Sequence, residues 1–210
     1  MRTIGAACKR IFDFAVALIA LAVLWPLMLA VALVIRLTMG KPVIFRQTRP
    51  GLYERPFALL KFRTMVESQS LTIDPSTDAA RLTKTGKTLR CLSLDELPQL
   101  WNVLKGEMSL VGPRPLLMEY LAHYTGEQAR RHDVKPGITG LAQVKGRNAI
   151  SWEEKFMWDV WYVDHWSFWL DLQILCSTVA KVFRREGINQ EGHATMEKFG
   201  AGEKFGAERR

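Results

Sequence analysis

A long apolar segment opens the chain. No side chain from Phe14 to Ile35 is charged, and a run of this length can cross the roughly 30 Å hydrocarbon core of a bilayer. It is too long for the apolar part of a signal peptide, and it continues past Ala30-Val31-Ala32, which resembles a cleavage site. The pattern therefore predicts that residues 1–40 form a membrane segment.

Two arrangements of this segment in the membrane fit the pattern. Basic residues flank it on both sides, with Arg2, Lys9 and Arg10 before it and Arg36, Lys41, Arg46 and Arg49 after it. Because basic flanks favour the cytoplasm, both ends prefer the same side of the membrane. A re-entrant hairpin satisfies this preference, and Pro26 in the middle of the run would supply its break. A spanning helix also fits, since prolines are frequent in such helices.

An extended region follows the membrane segment. Residues 41–65 contain two extended stretches on either side of a turn at Pro50-Gly51, which predicts a pair of strands. Alternation along the second stretch places Lys61 and Arg63 on the same face. The polar residues 66–80 then predict a surface loop.

The rest of the chain is mainly helical in pattern. One apolar helical stripe is formed by Leu97, Leu100, Trp101 and Leu104. Helices are also expected over residues 116–132 and 168–183, whereas glycines interrupt residues 135–148 too often for a long helix. Residues 186–210 are rich in Gly, Glu and Lys, which predicts a loose tail.

Aromatic residues concentrate late in the sequence. Five of the seven tryptophans lie between Trp152 and Trp169, with Phe156, Tyr162 and Phe168 among them. Tryptophan and tyrosine favour the membrane–water interface. The stretch is therefore expected either to rest on lipid headgroups or to form a buried aromatic cluster.

Composition narrows the class of protein. The 210 residues are 48% hydrophobic and 24% charged, which fits one folded domain with an additional element. The formal charge of +8 indicates an anionic partner: nucleic acid, an anionic membrane surface or a phosphorylated small molecule. Three scattered cysteines and four scattered histidines give neither a disulfide framework nor the spacing of a zinc site.

Two adjacent acids occur in the stretch S-L-D-E-L-P-Q (93–99), among many basic residues. Ser93 and Glu96 match a capping box, which is a structural role. That register would place Pro98 inside the helix, where proline removes a hydrogen bond. If Asp95 is the cap, Pro98 falls in the first turn, where it is tolerated. In both registers the carboxylates lie at a helix N-terminus, a position that also attracts phosphate.

The basic residues indicate what the acid pair does. A carboxylate attacks phosphorus only when the negative charge of the substrate is neutralised, and arginine and Mg²⁺ are suited to that task. The residues predicted to surround such a substrate are Lys61, Arg63, Arg90, Arg114 and Arg147. Two of them, Arg114 in G-P-R-P and Arg147 in G-R-N, lie beside residues that fix the backbone. With the membrane segment, this set predicts phosphoryl chemistry at a membrane surface.

Six motifs carry a resemblance to a known family: KRIFD (9–13), FRQTRPG (45–51), KFRTM (61–65), LRCLSLDELPQLWNVLKGEMSLVGPRPLLMEY (89–120), RHDVKPGITGLAQVKGRN (131–148) and DVWYVDHWSFWLDLQIL (159–175). They are similar to the small monotopic bacterial phosphoglycosyl transferases, also called bacterial sugar transferases. The resemblance runs from about Lys9 to Phe199. The block that joins the Asp-Glu pair to G-P-R-P is highly specific in combination.

The resemblance implies an α+β, mainly helical fold. A re-entrant membrane helix–break–helix hairpin would occupy residues 1–40, a cytosolic catalytic domain with interfacial amphipathic helices residues 41–185, and a flexible tail residues 186–210. The implied activity is transfer of a sugar-1-phosphate from a UDP-sugar to undecaprenyl phosphate. This reaction releases UMP, needs Mg²⁺ and takes place on the cytoplasmic face of the bacterial inner membrane.

The resemblance also implies roles for single residues. Asp95 would be the nucleophile and would form a phosphosugar–aspartyl intermediate. Glu96 would bind the metal or assist the lipid phosphate, with Asp95 as a second candidate metal ligand. Gln143 would join the substrate-binding residues. In the family the membrane break often follows a serine, whereas here Trp25 precedes Pro26.

The donor sugar and the competing functions rest on weaker signals. The linker AISWEEKF (149–156) and the tail EGHATMEKF (191–199) look most like enzymes that start protein N-glycosylation with UDP-N,N′-diacetylbacillosamine. One alternative is a hexose- or N-acetylhexosamine-1-phosphate transferase for exopolysaccharide or O-antigen. Another is a basic membrane adaptor without catalysis. Nucleic-acid binding is not expected, because the aromatics do not interleave with the basic residues. The pattern leaves homo-oligomerisation open.

Overall fold

The computed structural model describes residues 3–66, 81–146, 150–184 and 199. The helices in this part of the chain are α1 (Thr3–Thr38), α2 (Lys84–Cys91), α3 (Gln99–Lys105), α4 (Gly126–Ala129), α5 (Leu141–Lys145), α6 (Trp152–Asp164) and α7 (Phe168–Arg184). The strands are β1 (Ile44–Pro50), β2 (Pro56–Phe62), β3 (Ser109–Val111) and β4 (Gly137–Thr139). This confirms a mainly helical chain with a smaller sheet component. The expected loop at residues 66–80 and tail at residues 186–210 lie mostly outside the described residues.

The predicted strand pair is confirmed. β1 and β2 are antiparallel, from Ile44 opposite Phe62 to Pro50 opposite Pro56. The turn begins at Gly51, where an added Cβ would lie 3.0 Å from the carbonyl oxygen of Arg55. The tight turn therefore favours glycine at this position.

A second, parallel sheet positions the G-P-R-P turn. β3 runs beside β4, with Val111 opposite Thr139. The chain leaves β3 at Gly112, where an added Cβ would lie 2.3 Å from the carbonyl oxygen of Lys135. Only glycine permits this approach, which brings the turn that follows against the start of β4.

Helix α1 contains the apolar segment and continues through Pro26 without a break in its secondary structure. The helix–break–helix expected at this proline is therefore not seen as two separate helices, and the re-entrant hairpin stays a prediction. Among the described residues α1 is the helix with the length and apolarity to cross a membrane, from Gly5 to Thr38, and a window of 18 residues within it has a mean hydropathy of 2.8.

Both ends of α1 pack against the same domain. Ala17, in the N-terminal half, is fully buried in a cluster that includes Val103. Ile35, near the C-terminus, is fully buried in a second cluster that includes Phe62. Between these two contacts residues 22–30 are mostly exposed, and Trp25 is 61% exposed. The most apolar part of the helix is thus the part that the protein leaves open.

Polar contacts hold both ends of the helix. Near the N-terminus, Lys9 donates to the Oδ2 atom of Asp171 on α7 at 2.5 Å. The same carboxylate accepts from the hydroxyl of Tyr162 at 2.7 Å, through Oδ1. At the C-terminus, the buried guanidinium of Arg63 donates to the backbone carbonyls of residues 39–41. These bonds attach the N-terminal turns of α1, and the residues that directly follow it, to the rest of the domain.

The single helix expected over residues 116–132 is wrong. A 3₁₀ turn at Met118–His123 ends at Tyr124, which is extended. A new helix, α4, then begins because Thr125 and Gln128 form a capping box. A further 3₁₀ turn at Arg130–His132 follows. The capping bonds of Thr125 therefore start a separate helix where the apolar pattern alone predicted one continuous helix.

The aromatic stretch at residues 152–169 is partly buried and partly exposed, so the buried aromatic cluster is confirmed for some of its side chains, while contact of the exposed ones with lipid headgroups stays a prediction. Phe156 and Tyr162 are 2% and 1% exposed, whereas Trp161 and Trp169 are 39% and 68% exposed. The last predicted helix is confirmed as α7.

Candidate active site

The acid pair lies in a tight turn just before α3. Leu94–Glu96 form a 3₁₀ turn that follows Ser93, whose φ of 54° is left-handed and whose side chain makes no capping bond. Pro98 directly precedes the helix, a place that proline tolerates. Neither predicted capping register is therefore present. The carboxylates of Asp95 and Glu96 precede the helix and are not used to cap it.

Glu96 joins two cations from different parts of the chain. Its Oε1 atom accepts from the Nζ atom of Lys61 on β2 at 2.9 Å. The same oxygen accepts from Nη2 of Arg114, in the G-P-R-P turn, at 2.7 Å. The turn with the acid pair, the strand β2 and the G-P-R-P turn therefore converge on one carboxylate oxygen.

The two acids experience opposite electrostatic effects. Burial and the neighbouring charge of Glu96 raise the pKa of Asp95. Burial alone would also raise the pKa of Glu96, but the charges and hydrogen bonds of Arg114 and Lys61 lower it well below its ordinary value. Burial lowers the pKa of Lys61, an effect that Glu96 partly offsets. Glu96 is thus held as a carboxylate, and Asp95 is the more basic of the two acids.

Asn102 aligns α3 with β2. Its Oδ1 atom accepts from the backbone N–H of Leu60 at 3.1 Å, and its Nδ2 atom donates to the carbonyl oxygen of Ala58 at 2.8 Å. These bonds fix the helix beside the strand residue that precedes Lys61. The sequence analysis did not identify Asn102, because an asparagine within an apolar helical pattern gives no signal of its partner.

Arg90 and Arg63 were both predicted to surround the substrate, but they lie in different places. Arg90 donates through Nε to the hydroxyl of Thr64 at 3.1 Å, and its charge acts to lower the pKa of Asp95. Arg90 is therefore near the acid pair. Arg63 is 8% exposed and bonds to the end of α1, so the structure does not bring it to the pair. The strand ends at Phe62, and the alternation that placed Arg63 beside Lys61 ends with it.

The remaining predicted residues come from the segment after β4. Gln143 lies on α5, and a Cβ added at Gly140 would approach its Oε1 atom to 2.7 Å and the carbonyl oxygen of Gly112 to 2.2 Å. Gln143 is thus close to the start of the G-P-R-P turn. Both polar atoms of its amide are buried without a hydrogen-bond partner among the described residues. Arg147 lies outside the described residues.

A small cavity of about 70 Å³ opens beside the acid pair, and its lining includes Arg49, Lys61, Gln99 and Arg114. Burial and the charge of Arg114 lower the pKa of Arg49 to about 10. The sequence analysis missed Arg49 and Gln99. The strand pairing could have indicated Arg49, because Phe45 lies opposite Lys61 and Arg49 follows on the same face of β1.

The donor set at the acid pair fits a magnesium ion shared with a substrate. Mg²⁺ is usually bound by one or two carboxylates together with substrate phosphates and water. Asp95 and Glu96 supply two carboxylates side by side, and the cavity beside them is lined by cations that suit phosphate. The described residues contain no group of three or more His, Cys, Asp or Glu that would form a complete metal site.

Comparison with known proteins gives one consistent result. A family model described as bacterial sugar transferase matches residues 4–185. The uncharacterized sugar transferase EpsL of Bacillus subtilis (strain 168) is 59% identical over 191 residues, which are 91% of this chain and 95% of that protein.

Two further relatives carry names that state their substrates. The UDP-galactose-lipid carrier transferase of Erwinia amylovora is 41% identical over 85% of this chain and 41% of its own length. The UDP-glucose:undecaprenyl-phosphate glucose-1-phosphate transferase of Xanthomonas campestris pv. campestris is 43% identical over 83% of this chain and 38% of its own length. The chain therefore spans about two fifths of the length of these two relatives.

Proposed function

The chain belongs to the bacterial sugar transferase family, and from this premise we propose that it transfers a sugar-1-phosphate from a UDP-sugar to undecaprenyl phosphate and releases UMP. The observation that carries the proposal is the acid pair. Asp95 is buried beside Glu96, and Glu96 is bonded to both Lys61 and Arg114. A relative that covers most of this chain is named for undecaprenyl phosphate.

The proposed reaction consists of two displacements at one phosphorus. A carboxylate oxygen of Asp95 attacks the phosphorus next to the sugar, and the bond to the bridging oxygen breaks as UMP leaves with that electron pair. An oxygen of undecaprenyl phosphate then attacks the same phosphorus. The bond from Asp95 breaks, and the carboxylate is restored. Dividing the transfer in this way lets one residue serve first the donor and then the acceptor.

The geometry favours Asp95 over Glu96 as the nucleophile. Both cations bond to Glu96, which withdraws electron density from that carboxylate. Asp95 has the raised pKa and is therefore the more basic oxygen nucleophile. Glu96 in turn fixes Lys61 and Arg114 beside it, where their remaining donors neutralise the phosphates of the substrate.

Further residues complete the proposed substrate site. Arg49 and Arg90 add positive charge near the acid pair, and Gln143 supplies an amide whose polar atoms are buried without partners. Asp95 and Glu96 would hold Mg²⁺, which would supply further neutralisation of the charge on the phosphates.

We propose that the protein lies on the cytoplasmic face of the bacterial inner membrane and inserts α1 without crossing. The support is that Ala17 and Ile35 both pack against the same domain, while Trp25 between them is exposed. A helix that crossed the bilayer would separate its two ends by the full thickness of the hydrocarbon core. The exposed Trp161 and Trp169 suit contact with headgroups.

The finer proposal concerns the donor. The linker and tail favour UDP-N,N′-diacetylbacillosamine, whereas the names of the relatives from Erwinia and Xanthomonas favour UDP-galactose or UDP-glucose. Initial rates with these three donors and undecaprenyl phosphate decide between them. The donor with the highest kcat/KM identifies the substrate, and a clear preference for either hexose would contradict the bacillosamine proposal.

The test of the function is a burst experiment with purified protein and no acceptor. The wild-type protein should release about one UMP per molecule and then stop until undecaprenyl phosphate is added. Asp95→Asn should abolish the burst, whereas Asp133→Asn, on an exposed aspartate away from the pair, should leave it unchanged. Mass spectrometry of the quenched protein should find the phosphosugar on Asp95. Near-normal turnover in Asp95→Asn would contradict the proposal.

A further inference from the structure

Arg131 bonds to the backbone of the G-P-R-P turn (112–115). Its Nη2 atom donates to the carbonyl oxygen of Arg114 at 2.8 Å and to Oδ2 of Asp159 at 2.6 Å. Its Nε atom donates to the same carboxylate oxygen at 3.1 Å. The side chains of Arg131 and Asp159 are only 2% and 4% exposed. A buried ion pair therefore bonds directly to the backbone of a residue in the candidate site.

Aromatic rings hold this guanidinium in place. Its central carbon lies 5.8 Å from the centre of the Tyr124 ring and 5.6 Å from that of Phe156. The hydroxyl of Tyr124 lies 3.2 Å from Nη1 of Arg131. Rings on its faces and bonds at its edge leave the Arg131 side chain little freedom.

Arg114 needs such support. Its side chain is 45% exposed, and an exposed ion pair alone fixes a long side chain weakly. Pro113 and Pro115 flank it and carry no N–H that could anchor the turn. The turn is therefore held through its carbonyl oxygens: that of Pro113 accepts from the backbone N–H of Gly137 at 3.0 Å, and that of Arg114 accepts from Arg131.

We propose that Arg131 is a positioning residue for sugar-1-phosphate transfer: with Asp159 it fixes the backbone at Arg114 and so holds the Arg114 guanidinium on Glu96. The inference rests on the proposed function of the acid pair. Displacement of a binding group by about 1 Å costs up to about 100-fold in rate. The effect of losing Arg131 should therefore be seen in turnover.

The test replaces both buried charges together. Removal of one partner would leave the other charge buried and unpaired, whereas exchange of a buried pair for apolar residues of similar size is often neutral for stability. The variant is Arg131→Met with Asp159→Leu. The chain offers a matched control one residue away: Arg130 pairs with Asp164, on the same two elements but partly exposed, so Arg130→Met with Asp164→Leu makes an equivalent change.

The two double variants should differ in activity and not in folding. Both should keep the melting temperature and the vesicle binding of the wild type. UMP release at saturating substrate should fall by about tenfold or more in the Arg131–Asp159 variant and by less than about twofold in the Arg130–Asp164 control. If the first variant does not fold, Arg131→Lys is used instead. Lysine keeps the charge opposite Asp159 but not the planar fork, and a folded protein with reduced turnover is expected.

A double-mutant cycle separates positioning from general damage. In an Arg114→Ala background the guanidinium that Arg131 positions is already absent, so the second change should cost less than about twofold. A structural effect unrelated to Arg114 would repeat the tenfold loss. Equal turnover of the two double variants, or an undiminished loss in Arg114→Ala, would overturn the inference. An inactive wild type would instead contradict the proposed function.

Discussion

Asp95 and Glu96 are neighbours in the chain, yet their surroundings shift the pKa values of the two carboxyl groups in opposite directions. Burial and the charge of Glu96 raise the pKa of Asp95. Burial acts on Glu96 in the same direction, but Arg114 and Lys61 outweigh it and lower the pKa of that residue. Environments that separate the pKa values of two acids are typical of pairs that divide the roles in a reaction. In the proposed reaction Asp95 reacts and Glu96 holds the cations.

The pH dependence of turnover should follow from this difference. Asp95 attacks only as a carboxylate, so the rate should fall as the pH decreases through its raised pKa, at a higher pH than an ordinary aspartate would give. Lys61 acts to lower the pKa of both acids. In Lys61→Met the pH at which the rate falls should therefore move to a higher value. The measurement is the initial rate of UMP release as a function of pH.

An exposed lysine provides the control for that shift. Lys87 on α2 is exposed, and Lys87→Met makes the same change in net charge. Its acid limb should coincide with that of the wild type. An unmoved limb in Lys61→Met, or equal shifts in both variants, would show that Lys61 does not set the charge state of the pair.

Removal of divalent cations should stop transfer without unfolding the protein. The two adjacent carboxylates suit a magnesium ion that is shared with the substrate, and the described residues contain no larger cluster of ligands. A chelator should therefore abolish UMP release, and excess Mg²⁺ should restore it. The melting temperature should stay the same throughout. Full activity in the chelator would exclude the need for a metal, and a lower melting temperature would indicate a structural ion.

Local patterns predicted the parts of the site that local structure determines. Lys61 lies on β2, where the alternation of the strand still applies, and it bonds to Glu96. Pro98 indicated that the capping box was in conflict with a helix. Arg63 lies only two residues beyond Lys61, but the strand has ended and the side chain turns to the end of α1.

Contacts between distant segments could not be predicted in this way. Asn102 and Arg131 act on backbone groups that are 42 and 17 residues away along the chain. No periodicity connects residues at such separations. An arginine beside a histidine in a polar segment is also indistinguishable from a surface residue until the partner carboxylate of Asp159 is located.

Thiol labelling should show both ends of α1 on the same side of the membrane. Cys8 is exposed, so a background with Cys91→Ser and Cys176→Ser retains one native label near the N-terminus. Cys8→Ser with Lys41→Cys in that background places the label beyond the C-terminus. An impermeant reagent should reach both positions in inverted vesicles and neither in intact spheroplasts. The reason is that both helix ends pack against one domain.

A label on the domain itself shows on which face of the vesicle membrane the domain lies. Lys84 is exposed at the start of α2, and Lys84→Cys in the cysteine-free background marks the side that the domain occupies. Cys8 and the label at position 41 should both behave like this marker. If Cys8 is instead reached from the opposite face, α1 is a spanning helix and the insertion proposed above is wrong.

Phe199 should stabilise the domain from the tail. Its ring is half-buried and lies 5.0 Å from the ring of Phe156 and 5.7 Å from that of Tyr120. Phe199→Ala should lower the free energy of unfolding by about 2 kcal/mol, below the cost for a fully buried phenylalanine. Phe45 is 46% exposed, and Phe45→Ala should cost less than about 1 kcal/mol. Denaturant titration in detergent measures both values, and equal losses would mean that Phe199 contributes no more than an exposed ring. Phe156 also flanks Arg131. If Phe199→Ala lowers the free energy of unfolding and Phe45→Ala does not, UMP release should also be reduced in Phe199→Ala.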